Sequence, residues 1–206
     1  MQITSQVLLN AYAQGIFPMA HSEEGNRIYW YEPDPRTIIP LDSFHISRSL
    51  RRTIKKKRFE IRVNTRFYEV MRACAAPAPG REETWISEEL IGLYSELHGF
   101  GFATSVESYY EGELVGGVYG VDLYGLFAGE SMFSRRTDAS KVALAYLLTG
   151  LKEAGYSLFD VQFMTEHLRR FGAIEISKGE YRDRLEHALG LRPESLALAI
   201  AEANRK

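Results

Sequence analysis

A chain of 206 residues, 45% hydrophobic and 12% aromatic with a formal net charge of −2, can bury a sizeable core as an ordinary globular protein. No run approaches the roughly 18 to 20 uninterrupted apolar residues of a membrane span, and the amino terminus lacks the basic and apolar regions of a signal peptide, so no membrane partner is expected and the compartment is read as cytoplasmic. A single cysteine, Cys74, rules out an intrachain disulfide or thiolate cluster, and the histidines at 21, 45, 98, 167 and 187 have no ligand spacing such as HExxH, so no metal is expected.

Residues 1–14 read as a short helix with Val7, Leu8, Ala11 and Tyr12 on its apolar side, stopped by Gly15. Gly15 to Met19 then turns the chain. The segment Arg27 to Pro40 holds Pro33, Pro35 and Pro40, too many for a helix, and reads as extended backbone presenting Tyr29, Trp30 and Tyr31. The next stretch breaks the charge balance: Arg48 to Arg66 contains nine bases and one acid, Glu60, for +8 against −10 in the rest of the chain. Ile46, Leu50, Thr53, Ile54 and Phe59 form a partial apolar stripe that would dock this helix and turn its bases outward. Such a run is either a solvated helix face or a strip for binding a polyanion.

Asn64 to Cys74 and Ser87 to His98 have helical spacing, separated by a loop over Ala75 to Glu83 with Pro77, Pro79 and Gly80. From Gly101 the pattern becomes strand-like. Phe102–Tyr110 and Leu114–Val121 form a hairpin about Glu111, Gly112 and Glu113, and Gly125–Phe133 a third strand. Asp138–Ala154 is a helix with few polar positions, expected to be buried on more than one side. A strand at Leu158–Gln162, a helix at Thr165–Phe171 closed by Gly172, a strand at Ala173–Ile176 and helices at Gly179–Leu189 and Glu194–Asn204 complete a mixed α/β sheet fold.

Two of these strands contain groups that burial disfavours. Glu130 lies in Phe127–Ser134, and Asp160 and Gln162 end an apolar run; a buried carboxylate costs several kcal/mol unless paired or used. Alternate strand residues face one side, so Asp160 and Gln162 could share a pocket. They could equally cap the next helix and satisfy a sheet edge, and Glu130 could form an ion pair with Arg135 or Lys141. The element order resembles the acetyltransferase-like superfamily. Its glycine-rich diphosphate turn is missing, because Ser134 to Lys141 contains no glycine.

Over nearly its whole length the chain resembles the leucyl/phenylalanyl-tRNA–protein transferase family. The blocks are GIFPM at Gly15–Met19, WYEPDPR at Trp30–Arg36, HISRSLRR at His45–Arg52, TWI at Thr84–Ile86 and LVGGVYG at Leu114–Gly120. They continue in order with GESMFS at Gly129–Ser134, ASK at Ala139–Lys141, DVQ at Asp160–Gln162 and EHLRRFGA at Glu166–Ala173.

The resemblance implies a small N-terminal α/β domain (1–60, with the basic helix) followed by an acetyltransferase-like (GNAT-like) mixed β-sheet domain with flanking helices (61–206). It implies an enzyme without cofactor that transfers Leu, Phe and, less efficiently, Met from aminoacyl-tRNA to the N-terminal Arg or Lys of proteins, marking them for N-end rule degradation. It implies a relay in which the Asp160 carboxylate polarises the Gln162 amide, whose oxygen accepts hydrogen from the attacking amine, with Glu130 near the donor ammonium. It implies an apolar donor pocket of Val118, Phe127, Met132, Leu144, Leu147, Leu151 and Phe159, with the terminal adenine near Tyr31 and Trp85. The phosphates of the acceptor stem then fall to Arg48, Arg51, Arg52, Lys55, Lys56 and Lys57. Asp138 stands where relatives have Asn, adding negative charge near phosphate. A monomer is expected. Two other readings remain: a coenzyme A acyltransferase on the same scaffold, and a noncatalytic RNA-binding module.

Overall fold

A seven-stranded mixed sheet organises the computed structural model, which describes residues 3–77 and 83–205. Its strands in spatial order are β4 (Glu60–Val63), β5 (Ala103–Tyr110), β6 (Glu113–Leu123), β7 (Leu126–Ser134), β8 (Leu158–Gln162), β3 (Arg36–Ile38) and β9 (Ile174–Ile176). Neighbours are antiparallel except β7 and β8, which are parallel. A parallel pair needs a crossover, here through α5 (Ala139–Ala154). A separate antiparallel hairpin joins β1 (Phe17–His21) to β2 (Arg27–Tyr31).

The sheet carries an apolar cluster on each face. One gathers α1 (Ser5–Ala13), α3 (Phe67–Ala75), α4 (Glu88–Gly99) and α7 (Lys178–Gly190) through residues such as Leu8, Val70, Leu90 and Leu185. The other gathers α2 (Arg48–Lys55), α5, α6 (Glu166–Arg169) and α8 (Leu196–Arg205) through Leu50, Leu148, Leu168 and Ile200. Helix starts follow local chemistry. Thr4, Ser47, Ser87, Thr165 and Ser177 each accept a backbone N–H from three residues on, satisfying a donor left open at the helix end.

The mixed α/β class expected from the pattern is borne out, with α5 buried on most sides as its composition predicts. Two strands were not anticipated. Gly15–Met19 leads straight into β1, because Phe17 and Ala20 are buried and the Ala20 N–H bonds the Trp85 carbonyl at 3.1 Å. β4 is a four-residue edge strand inside the basic run, where charged residues at 60 and 62 hide the alternation yet suit an open edge. Residues 1 and 2 of the expected first helix and 78–82 of the expected loop lie outside the described residues. Within the first 60 residues β3 is an inner strand of the large sheet, between β8 and β9.

Candidate active site

β7 and β8 pair only from Leu126 opposite Leu158 to Ala128 opposite Asp160. Beyond that point they part, and β8 continues along β3. The gap is a cavity of about 210 Å³ lined by Gly129, Glu130 and Met132 of β7, Val161 and Gln162 of β8, and Phe159 as its floor. Val118 of β6 and Leu144 of α5 close one side; Phe17 and Met19 of β1, Trp85, and Thr165 and Leu168 close the others. A side chain at Gly129 would meet the Phe159 ring at 2.9 Å, so glycine is what keeps this floor and wall in contact. The volume is below the roughly 300–1,000 Å³ of sites that enclose whole drug-sized ligands. It suits one apolar side chain, with the rest of a ligand outside.

One wall is polar. The register of β6 with β7 shifts between Gly120, opposite Gly129, and Tyr119, opposite Ser131, which leaves Glu130 as the extra residue of a bulge. A bulge re-aims a side chain, and the Glu130 carboxylate turns to accept from Tyr94 Oη at 3.2 Å and Gln162 Nε2 at 3.1 Å. Tyr94 is hydrogen-bonded in turn to the hydroxyl of Tyr12. Burial pushes the Glu130 carboxyl up to about 8 and the charge of Asp160 adds to the shift, against the opposing hydrogen bonds of Tyr12 and Tyr94 and the charge of Arg36. Burial also raises the phenols of Tyr12 and Tyr94, with Glu130 contributing, so both are neutral donors.

Asp160 lies fully buried behind this wall. Its Oδ1 accepts from Arg36 Nε at 3.0 Å and from the Gln162 backbone N–H at 2.9 Å, and its Oδ2 from Arg36 Nη2 at 2.6 Å and Tyr181 Oη at 2.8 Å. The direct amide contact expected between Asp160 and Gln162 is not made. Gln162 has φ +58°, leaving the extended conformation in which alternate side chains align, and its amide nitrogen bonds Glu130. Neither of the alternative ion pairs of Glu130 forms. Lys141 bonds Asp138 at 2.9 Å, while Arg135 lies over Phe133 and donates to the Leu114 carbonyl. The helix-cap alternative for Asp160 gives way to Thr165, which caps α6.

Of the apolar residues expected in the pocket, Val118, Met132, Leu144 and Phe159 line it. Phe127, Leu147 and Leu151 do not; they are fully buried core. Phe127 sits where β7 and β8 are still paired, and Leu147 and Leu151 lie about one and two turns further along α5 than Leu144. Trp85 lines the cavity, and Tyr31 stands behind Phe17, stacked on it at 5.9 Å. Sequence reasoning missed Phe17, Met19, Val161, Phe163, Thr165 and Leu168 as walls, and Arg36, Tyr94, Tyr12 and Tyr181 as supports. The available signal was an arginine next to the β-branched run Thr37–Ile39, in the same position of conflict as Glu130 and Asp160.

All six bases named for α2 and its end, Arg48, Arg51, Arg52, Lys55, Lys56 and Lys57, are exposed. Leu50 docks the helix in the core, with Ile46, Ile54 and Phe59 beside it. Thr53 Oγ1 donates to Asp138 Oδ2 at 3.4 Å, so the carboxylate before α5 is tied to the basic helix and to Lys141.

The family model described as leucyl/phenylalanyl-tRNA protein transferase matches residues 38–186, and the model of that family's N-terminal domain matches residues 1–34. A curated relative named leucyl/phenylalanyl-tRNA–protein transferase from Paramagnetospirillum magneticum is 54% identical over 187 residues, covering 91% of this chain and 90% of its own. Another of that name from Herpetosiphon aurantiacus is 55% identical over 189 residues, covering 91% and 95%. Among solved structures, L-PGS from Bacillus licheniformis aligns over 99% of this chain and 71% of that one at 15% identity and a TM-score of 0.43, too distant to carry an argument.

Proposed function

This chain belongs to the leucyl/phenylalanyl-tRNA–protein transferase family, and from that premise we propose that it transfers Leu, Phe and, less efficiently, Met from aminoacyl-tRNA to the N-terminal Arg or Lys of acceptor proteins, marking them for N-end rule degradation. It is an aminoacyltransferase. The observation that carries the finer reading is the cavity itself: apolar walls sized for one side chain, with a carboxylate and an amide bonded to each other at its polar edge.

An aminoacyl ester is already activated, so its aminolysis needs alignment, a neutral amine and stabilisation of the oxyanion. The donor side chain enters between Val118, Met132, Leu144 and Phe159, where a β-branched chain meets the walls first; a misfit of this size is worth about 1–3 kcal/mol. Glu130, once ionised, attracts the donor ammonium. Gln162, its nitrogen bonded to Glu130, has its amide oxygen left to accept hydrogen from the incoming α-amine. The α-amine nitrogen of the acceptor bonds the ester carbonyl carbon, the carbon–oxygen bond to the terminal ribose breaks, and the ribose hydroxyl leaves with the proton the amine gives up. Tyr31 and Trp85 stack the terminal adenine, at roughly 1–3 kcal/mol per stacked base. The bases of α2 hold acceptor-stem phosphates with little sequence reading.

The test is incubation of the chain with radiolabelled Phe-tRNA and peptides beginning with Arg, Lys or Glu. Label is expected on the first two peptides and not on the third, with Ile-tRNA and Val-tRNA slower donors by roughly 10- to 200-fold. Absence of transfer to the Arg peptide removes the reading.

A further inference from the structure

The proposed reaction accounts for the cavity, its polar edge and the basic helix, but not for the buried charge of Arg36. Arg36 is 1% exposed, and all of its polar reach is used inside the protein. Nε and Nη2 grip Asp160, Nη1 donates to the Gly15 carbonyl at 2.9 Å, and the guanidinium lies 4.8 Å from the centroid of the Phe17 ring and 4.5 Å from that of Tyr181. Burial works against its charge, but the charge and hydrogen bonds of Asp160 more than offset this and raise its pKa above the ordinary arginine value.

We propose that Arg36 is a positioning residue of the transfer reaction, which through Asp160 sets the backbone of Gln162 and through Phe17 and Gly15 sets the opposite wall of the cavity. The inference rests on the proposed function.

Each arm of the guanidinium leads to a different part of the site. Through Asp160 Oδ1 it reaches the N–H of Gln162, a residue in a left-handed conformation that a side chain disfavours. That turn is what sends the Gln162 amide to Glu130 instead of back along the strand. Through its face it reaches Phe17, a wall of the cavity. Through Gly15 it reaches the end of α1, the helix that supplies Tyr12 to the hydroxyl chain behind Glu130. A bidentate, planar guanidinium can hold three directions at once, whereas a lysine ammonium is a point charge on a flexible stem.

The pair also acts on Glu130 by charge. The groups facing Glu130 are Tyr12 from α1, Tyr94 from α4, Asp160 and Gln162 from β8 and Arg36 from β3, with Tyr181 of α7 bonded to Asp160. Arg36 favours ionisation of Glu130 and Asp160 opposes it. Loss of either partner disturbs the packing alike, but the two losses displace Glu130 in opposite directions.

The experiment compares the full chain with Arg36→Met, Arg36→Lys, Asp160→Asn and Tyr181→Phe. It measures kcat and KM for Phe-tRNA and an Arg-initiated peptide from pH 5.5 to 9, with circular dichroism confirming folding at the assay temperature. Misplacement of a reacting group by about 1 Å can cost on the order of 10²-fold, so Arg36→Met should lose about that much in kcat while the KM for Phe-tRNA stays within about twofold; Arg36→Lys should recover part of the loss. In kcat/KM the substrate amines titrate identically for every variant, so a displaced midpoint belongs to the enzyme. It should move up in Arg36→Met and down in Asp160→Asn. If Arg36→Met does not fold, Arg36→Lys and Tyr181→Phe decide, the latter keeping the ring under Arg36 and removing one bond to Asp160; a lowered kcat at unchanged KM is expected of both. Wild-type kcat and midpoints in Arg36→Lys and Tyr181→Phe, or displacement in the same direction for Arg36→Met and Asp160→Asn, overturns the proposal while leaving the function intact. No transfer by the wild-type chain removes the function, and the proposal with it.

Discussion

Glu130 shows how much one side chain's behaviour depends on its surroundings. Its carboxyl, ordinarily near 4.5, is pushed up to about 8, chiefly by burial. Between those two values the folded chain holds a proton that the unfolded chain has released, so this residue makes the protein lose stability as pH rises through the window. Glu130→Gln lacks that term. Denaturant melts at pH 5 and pH 8.5 should therefore show wild type falling relative to the variant at the higher pH. Leu144 and Leu151 provide a second contrast, since both are fully buried on α5 but only Leu144 lines the cavity. Leu144→Phe should cut kcat/KM for Phe-tRNA by roughly 10- to 200-fold, the range of a small steric misfit. Leu151→Ala should cost about 2–5 kcal/mol of stability and leave the Leu to Phe preference unchanged in assays on folded protein.

Elements place these residues through a few local irregularities. The bulge at Glu130 turns one carboxylate out of strand register, and the left-handed Gln162 ends β8 with its amide toward it. The basic helix is simpler: Leu50 anchors it and its charges face outward. If those charges hold acceptor-stem phosphates, the association constant for Phe-tRNA should fall with salt at a log–log slope of about −0.7 to −0.9 for each phosphate neutralised. Replacing Arg51 and Lys55 together with alanine should flatten that slope by about two such steps. Filter binding across a salt series measures both, and an equal slope in the variant assigns those phosphates elsewhere. Helix existence was legible for α1 to α5, and a docking side for α1 and α2, because apolar spacing repeats within one or two turns. β4 was hidden because four residues of mixed charge carry too little periodicity to read.

The whole molecule is knit across its length in a way that no segment announces. β3 enters the large sheet between β8 and β9, and Glu32 just before it bonds Lys178 and Arg182 of α7 at 2.6 and 2.7 Å. A chain begun at residue 61 would lack that inner strand, the Phe17 and Met19 walls and the partner of a buried Asp160, whose loss alone typically costs about 3–5 kcal/mol. It should give no cooperative thermal transition by circular dichroism; a two-state melt near that of the full chain contradicts this. Motif order in the sequence was enough to establish the family, the mixed α/β class and the placement of a carboxylate and an amide on central strands, because those signals are local and repeat in register along the chain. Which apolar residues are wall and which are core followed from where β7 and β8 part, and the partners of Asp160 and Gln162 from contacts 124 and 32 residues away in sequence. Hydrogen bonds and burial across such separations depend on how the sheet closes, and that information resides in the packed chain as a whole.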